Sequence, residues 1–500
     1  MTPKSSYFQL FIRLVSAALA FAIFICTSGC TRLDSPDSSS SQESEAEQTS
    51  FPGESQSQAD VKNEASAESS ISSAESEGKE IITKTAANIA PEAALPEGYS
   101  CLNDGDIYSG VIFHDGKCDF SMEWESPVDI DRIVSKESGN AIDSVKIKAF
   151  DSTGGVLAEY SQEECGESRV SALALQGVKR LELSCGASSG EFSLTEVEVY
   201  PEKTDSAHGF GVSAYLPVES SLDEELIAPS LRELNDIILI SGSSWDANGK
   251  VSASDEFVQN RKRLKSLLPD GTSVWATVYP SYKLINKGRA GATVDNAEKR
   301  AELIDNLLYF VDEYELNGLD FDWEFPGDEA VWSNFSALLV ELKQRRSSLK
   351  LSAALYPDKA LLSDAAFAAL DRVNVMAYDQ FDANGHHSTY KTVADITKMI
   401  PYFANNVCEV YKLYIVIPAY GRPFDASNVW DLYKDIPVED RYTNIWKHSY
   451  FNGCAIAADK TAYAMQSGFG GVFLYHLSCD RPLDDEFSLL GSIVDYINFQ

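Results

Sequence analysis

Between Phe210 and Leu477 one pattern recurs eight times: a short apolar run bounded by turn residues, then a stretch with helical spacing. The strand-like runs are Phe210–Leu216, Asp236–Ser241, Ser273–Tyr279, Gly318–Glu324, Lys350–Tyr356, Arg372–Tyr378, Lys412–Tyr420 and Gly471–Leu477, with helices such as Ala297–Tyr314 and Ala330–Arg345 between them. Strands joined through helices run parallel, and eight such units close into a (β/α)8 barrel. That predicts a catalytic-type domain over residues 205–500.

One of the eight strands is out of character. In Leu316-Asn317-Gly318-Leu319-Asp320-Phe321-Asp322-Trp323-Glu324 three carboxylates recur at two-residue spacing, which on a strand sends all three to one face, each about 6.5–7 Å from the next. On a surface strand such acids would sit in water. A barrel strand is covered by helices outside and packed side chains inside, so acids on its inward face are costly to bury. Placed at the C-terminal end of the strand, they read as chemistry.

The rest of the chain divides by texture. Lys4 and Arg13 precede an apolar run from Leu14 to Cys26 that is short for a membrane span, and Thr27-Ser28-Gly29 lead into Cys30, so residues 1–29 read as an export signal. Residues 30–94 are rich in Ser, Glu, Gln and Ala with few large apolar side chains, and cannot bury enough surface to offset their ordering entropy. They read as a disordered tether with a reach of about 40–50 Å. Residues 95–203 show short alternating segments between Gly, Asp and Ser turns, such as Phe120–Trp124, Ser144–Phe150, Arg180–Leu183 and Val197–Tyr200, the pattern of an all-β sandwich.

Charge and cysteines narrow the partners. Asp and Glu outnumber Lys and Arg 76 to 41, for a formal net charge of −35, which argues against nucleic acid. Cys101, Cys118, Cys165 and Cys185 all fall in the sandwich; of the three possible pairings the local one, Cys101–Cys118 with Cys165–Cys185, is preferred for an exported domain. Cys408, Cys454 and Cys479 are odd in number and lack C-x-x-C spacing, so no metal site is expected and at least one should be a free buried thiol. The chain is read as a monomer that needs no cofactor.

Several stretches resemble known families. Ser28-Gly29-Cys30 resembles a bacterial lipobox, which implies cleavage before Cys30, lipidation of Cys30 and an exported protein held by lipid at the cell envelope or surface; Thr27 departs from the usual leucine, and a simple signal-peptidase cut or an uncleaved anchor stay open. Leu102-Asn103-Asp104-Gly105-Asp106 and Leu194-Thr195-Glu196-Val197-Glu198-Val199 resemble the galactose-binding-like (discoidin) jelly roll. The acidic strand resembles the fourth-strand signature of the family 18 glycoside hydrolases, chitinases among them. Val375-Met376-Ala377-Tyr378-Asp379, Ile417-Pro418-Ala419-Tyr420-Gly421-Arg422-Pro423-Phe424 and Gly470-Gly471-Val472-Phe473-Leu474-Tyr475 are similar to that family's sixth, seventh and eighth strands, in order. The resemblance implies a substrate-assisted retaining hydrolase in which the 2-acetamido oxygen of the sugar attacks. Glu324 would be the general acid, Asp322 the partner of the acetamido N–H, sharing a proton with Asp320, and Tyr378 the partner of the acetamido carbonyl. Asp379, Tyr475, Met376, Tyr420, Arg422, Tyr215 and Trp245 would contact substrate. The implied partner is an N-acetylglucosamine-containing oligo- or polysaccharide, with chitin-type β-1,4 chains first and N-glycan cores, peptidoglycan or a purely sugar-binding role as alternatives. Departures bear on the substrate: Asn317 stands for an Asp, Ala276-Thr277-Val278-Tyr279-Pro280 replaces the third-strand S-x-G-G, Tyr475 replaces a tryptophan, and only about fifty residues separate Gly421 from Gly471, too few for a full α+β insertion.

Overall fold

The structure, a computed structural model, describes residues 86–499 apart from 140, 164–167, 205–207, 220–223, 325, 357–360, 383–384, 388–407 and 426–428. The export signal, Cys30, residues 31–85 of the expected tether and Cys165 lie outside the described residues; residues 86–94, expected to be disordered, are ordered instead, because Ala90 and Ala93 are buried in the core of the sheet and Ala94 bridges to Glu123. Among the described residues no helix is long and apolar enough to cross a membrane.

Eight parallel strands close the barrel: Gly211–Pro217, Asp236–Ile240, Ser273–Val278, Gly318–Phe321, Lys350–Leu355, Arg372–Val375, Leu413–Pro418 and Gly471–Tyr475, each paired to its sequence neighbour and the eighth to the first. All eight predicted strands are present; they begin within one residue of expectation, the first ends one residue later, and the other seven end one to three residues earlier because their last residues leave the ladder for the mouth. The helix Ala297–Glu313 starts where Asn296 accepts from the Lys299 N–H at 3.0 Å, and Glu329–Arg345 where Asp328 accepts from the Val331 N–H at 3.1 Å. Such caps satisfy amides that the first helical turn leaves without partners.

Two cores result. The outer one packs helices onto strands and takes Leu319, Phe321 and Trp323 from the acidic stretch, together with Phe335 and Leu339. The inner one fills the barrel with Tyr215, Ile238, Trp275, Met376, Tyr378, Val416, Tyr420 and Phe473. Alternation therefore holds past the end of the strand, apolar residues outward and acids inward. Trp275 fits inside because its neighbour across the ladder is Gly318: a Cβ there would come 2.4 Å from the indole. Lower in the barrel Arg372 pairs with Asp236 at 2.9 Å, donates to Ser213 Oγ at 2.9 Å, and lies against Trp275, Tyr414 and Phe473.

Residues 111–200 form a six-stranded antiparallel sheet from β1 (Val111–Phe113), β2 (Lys117–Ser138), β3 (Ser144–Phe150), β4 (Val156–Glu163), β5 (Ser168–Gly186) and β6 (Phe192–Tyr200), in the order β1-β6-β2-β5-β3-β4. Two strands are far longer than the segments read from sequence. The pairing of β2 with β5 shifts register three times between Glu123 and Arg132, and such irregularities bend a ladder, so one hydrogen-bonded sheet folds over its own core of Phe120, Met122, Trp124, Ile147, Leu183 and Leu194. The two stretches that carry the jelly-roll resemblance meet, Gly105 N–H donating to Glu196 Oε2 at 3.1 Å. The preferred disulfide Cys101–Cys118 is not formed: both are thiols, and Cys118 faces Cys185 across the β2–β5 ladder instead. Sequence-local pairing failed because proximity here is set by the ladder. Cys408, Cys454 and Cys479 are buried thiols, as the odd count required.

The sheet is docked on the barrel. The helix Cys454–Gln466 is buried from Cys454 to Ala464, and its Asp459 accepts from Tyr160 Oη at 2.5 Å and the Ala172 N–H at 2.7 Å, with the Arg169 guanidinium 3.8 Å away. Tyr496 Oη donates to Asp131 at 2.7 Å and Arg132 Nε to Gln466 Oε1 at 2.5 Å. Between the seventh and eighth barrel strands the described residues form, ahead of the helix Cys454–Gln466, a small antiparallel sheet of Asp431–Leu432, Tyr420–Pro423, Ser449–Tyr450 and Ile445–Trp446.

Candidate active site

Register brings a polar layer together inside the barrel. Thr277, Asp320 and Ser352 are direct partners across the third, fourth and fifth strands, so their side chains share one face. Asp320 is fully buried and accepts four hydrogen bonds: Oδ1 from Ser352 Oγ at 2.6 Å and Asn374 Nδ2 at 3.0 Å, Oδ2 from Tyr215 Oη at 2.7 Å and Thr277 Oγ1 at 3.0 Å. Burial pushes its carboxyl above the usual value, while the bonds from Ser352 and Tyr215 and the charge of Arg372 pull it back. Both oxygens are occupied by donors, which is the environment of a carboxylate.

Asp322 sits one step nearer the mouth in the opposite condition. Its Oδ1 is buried and accepts no hydrogen bond among the described residues. Burial first, then the neighbouring charges of Glu324 and Asp320, hold its carboxyl well above the ordinary range. Of the two charges that raise Asp322, that of Glu324 is the larger and that of Asp320 the smaller, and both oxygens of Asp320 already accept hydrogen bonds.

Aromatic rings wall the acids. Tyr378 and Tyr475 lie nearly parallel, centroids 5.9 Å apart at 15°, with Tyr420 edge-on to both. Burial, then neighbouring phenols and Glu324, hold the Tyr378 hydroxyl well above its usual value, which keeps it a donor. Asp379 adopts φ 55°, an uncommon conformation for a residue with a side chain, and accepts from Arg422 Nη1 at 2.8 Å. Arg422 is thereby committed to a buried ion pair with Asp379. Met376 and Tyr420 are buried among the inner rings.

Two residues expected to contact substrate are placed elsewhere. Tyr215 is buried beneath the site and spends its hydroxyl on Asp320. Trp245 has no exposed surface, donates Nε1–H to Thr293 Oγ1 at 3.0 Å and packs edge-on to Trp323 in the outer core. Aromatic residues serve as barrel filler as readily as sugar platforms, and strand position alone does not separate the two roles. Sequence reasoning missed Ser352, Asn374 and Trp430. The first two carried a signal, single polar residues inside the apolar runs Leu-Ser-Ala and Val-Asn-Val; Trp430, in a loop, carried none.

Comparison with known proteins converges on the same part of the chain. Residues 286–480 match the model of the glycosyl hydrolases family 18. The match begins after the third strand, where the sequence departs from that family's usual pattern. The chain is 22% identical over 289 residues to endochitinase 1 of Metarhizium robertsii, covering 46% of this chain and 65% of that protein, and 25% identical over 310 residues to chitinase 1 of Aphanocladium album, covering 49% and 70%. The chain thus spans just under two thirds of the first relative's length. Its fold is like that of a chitinase from Bacteroides thetaiotaomicron, with TM-score 0.52 and 17% identity over 58% of this chain and 97% of that one. A GH18 chitinase from Flavobacterium johnsoniae gives 0.50, with 20% identity over 58% and 94%. The segment that matches the glycosyl hydrolases family 18 model holds the acidic strand together with Tyr378, Tyr420 and Tyr475.

Proposed function

We propose that the barrel is a retaining glycosidase that cleaves β-1,4 linkages after N-acetylglucosamine in chitin-type chains, with the substrate's acetamido group as nucleophile. The observation that supports it most is the graded acid series: a carboxylate at Asp320 held by four donors, and next to it Asp322, whose carboxyl burial and the charges of Glu324 and Asp320 hold well above the ordinary range. Glu324 delivers a proton to the leaving glycosidic oxygen and later takes one from water. Asp322, then ionised, accepts the acetamido N–H and faces the positive oxazolinium, while Tyr378 donates to the acetamido oxygen and aligns it for attack. Asp320 stays in its four-donor cage throughout and serves as the fixed charge against which Asp322 moves. Purified protein incubated with chitooligosaccharides, a high-mannose glycopeptide and peptidoglycan tests the reading; cleavage of the glycopeptide or peptidoglycan alone would transfer the site to N-glycan cores or to the cell wall.

The acid series also fixes a pH dependence. Because burial and the charges of Glu324 and Asp320 hold a proton on Asp322 to higher pH than on a free carboxyl, kcat should fall on the alkaline side when that proton leaves. Asp322→Asn removes the repelling charge, so the alkaline limb of the pH–rate profile should move to lower pH while turnover drops. An unmoved limb would assign it to a different group.

Export and anchoring belong to the same proposal: lipid on Cys30 holds the protein at the envelope, with residues 30–85 as tether and the β-sheet domain, to which residues 86–94 add core contacts, as a galactose-binding-like domain ahead of the barrel. One acyl-bearing cysteine would carry the whole attachment. Cys30→Ala should shift the protein from the membrane fraction to the soluble exported fraction, and retention in the membrane would favour an uncleaved anchor.

A further inference from the structure

We infer that Trp430 is a substrate-contact residue that the loop after the seventh barrel strand adds to the site, seating the N-acetylated sugar that lies against Tyr475. Trp430 precedes the short strand Asp431–Leu432, which pairs with Tyr420–Gly421, Tyr420 opposite Leu432 and Gly421 opposite Asp431. Ser449 Oγ donates to Asp431 at 2.5 Å and pins the same strand. The ring is therefore held in place before any ligand arrives, and little side-chain freedom is lost on binding. Its centroid lies 4.1 Å from Tyr420 and 6.4 Å from Tyr475, and the Arg422 guanidinium, fixed by Asp379, stands 5.2 Å from it. Trp245, Trp275, Trp323 and Trp332 are all core residues of the barrel, whereas Trp430 keeps partial exposure beside the acids.

The indole carries a second mark. Its Nε1–H is buried yet has no acceptor among the described residues. Donors of that kind are rare in folded proteins because they have lost water and gained nothing. Tyr420, whose ring packs on the same indole, has a buried hydroxyl that is likewise without a hydrogen-bond partner among the described residues. Two polar groups on adjacent rings, both without partners at the wall of one site, fit a ligand rich in hydroxyl and acetamido oxygens: a sugar ring against the aromatic surface, with an oxygen accepting from the indole. This rests on the proposed glycosidase reading.

The test measures N,N′,N″,N‴-tetraacetylchitotetraose in two ways. Calorimetric Kd is taken in the Glu324→Gln background, where turnover does not interfere, and KM and kcat are taken in the otherwise unchanged enzyme. Trp430→Ala should raise Kd and KM about tenfold, with kcat changed less, and Trp430→Phe, which keeps a ring and loses the N–H, should fall between. Thermal midpoints of the variants should stay near the parent's, since the ring is partly exposed. Cleavage by the wild type with Kd and KM of Trp430→Ala within twofold of the parent would overturn the inference and leave the glycosidase reading standing. If the wild type neither binds nor cleaves the tetrasaccharide, that reading falls and the inference falls with it.

Discussion

Glu324→Gln should lower turnover on chitooligosaccharides by at least about 10² to 10⁴ while leaving their affinity nearly unchanged. The amide matches the carboxyl in shape and still hydrogen-bonds, but it has no proton to give to the leaving oxygen. Asp320 is caged by donors from four other residues, so it does not take over the transfer. Calorimetry and reducing-end release on the same preparation separate the two effects. A thiazoline analogue of N-acetylglucosamine, which copies the cyclic intermediate, should inhibit the wild type far more tightly than the free sugar does. Binding without hydrolysis in the wild type, unchanged by Glu324→Gln, would make the barrel a lectin.

Arg372→Met should destabilise the fold by about 3–5 kcal/mol, seen as a lower urea midpoint with a similar slope. The guanidinium is enclosed by Trp275, Tyr414 and Phe473 and neutralises Asp236 at 2.9 Å. Removing it leaves Asp236 charged and nearly buried with only Ser213 as a donor. The effect comes from the stranded partner, so the double variant Arg372→Met/Asp236→Leu should recover much of the loss. Arg372 is also the cation that helps hold Asp320 ionised, and its loss should lower activity even where the variant is folded. A midpoint shift worth under about 1 kcal/mol would mean that water reaches Asp236 and the pair is not buried in solution.

How much of this was legible in the sequence depended on how local the signal is. The eight strands showed as apolar runs because a parallel barrel strand is buried on both faces, and the acids showed because they break such a run. The cage around Asp320 is spread over four strands and closes only through register, so Ser352 and Asn374 looked like isolated irregularities. Tyr215 and Trp245 were misplaced for a related reason: a ring at a strand end can point into the mouth or into the packing, and only the pleat decides. The β2–β5 ladder likewise set Cys118 against Cys185, where separation along the chain favoured Cys101.

The helix Cys454–Gln466, buried along nearly its whole length between barrel and sheet, makes the two parts hard to separate. Removing residues 95–203 would uncover Asp459 together with Ala455, Ala458 and Ala462, a face that is neither charged enough to be soluble nor large enough to close on itself. The sheet is thereby fastened to the barrel through Asp131, Asp459 and Gln466, so the two should melt as one cooperative unit and not in two steps.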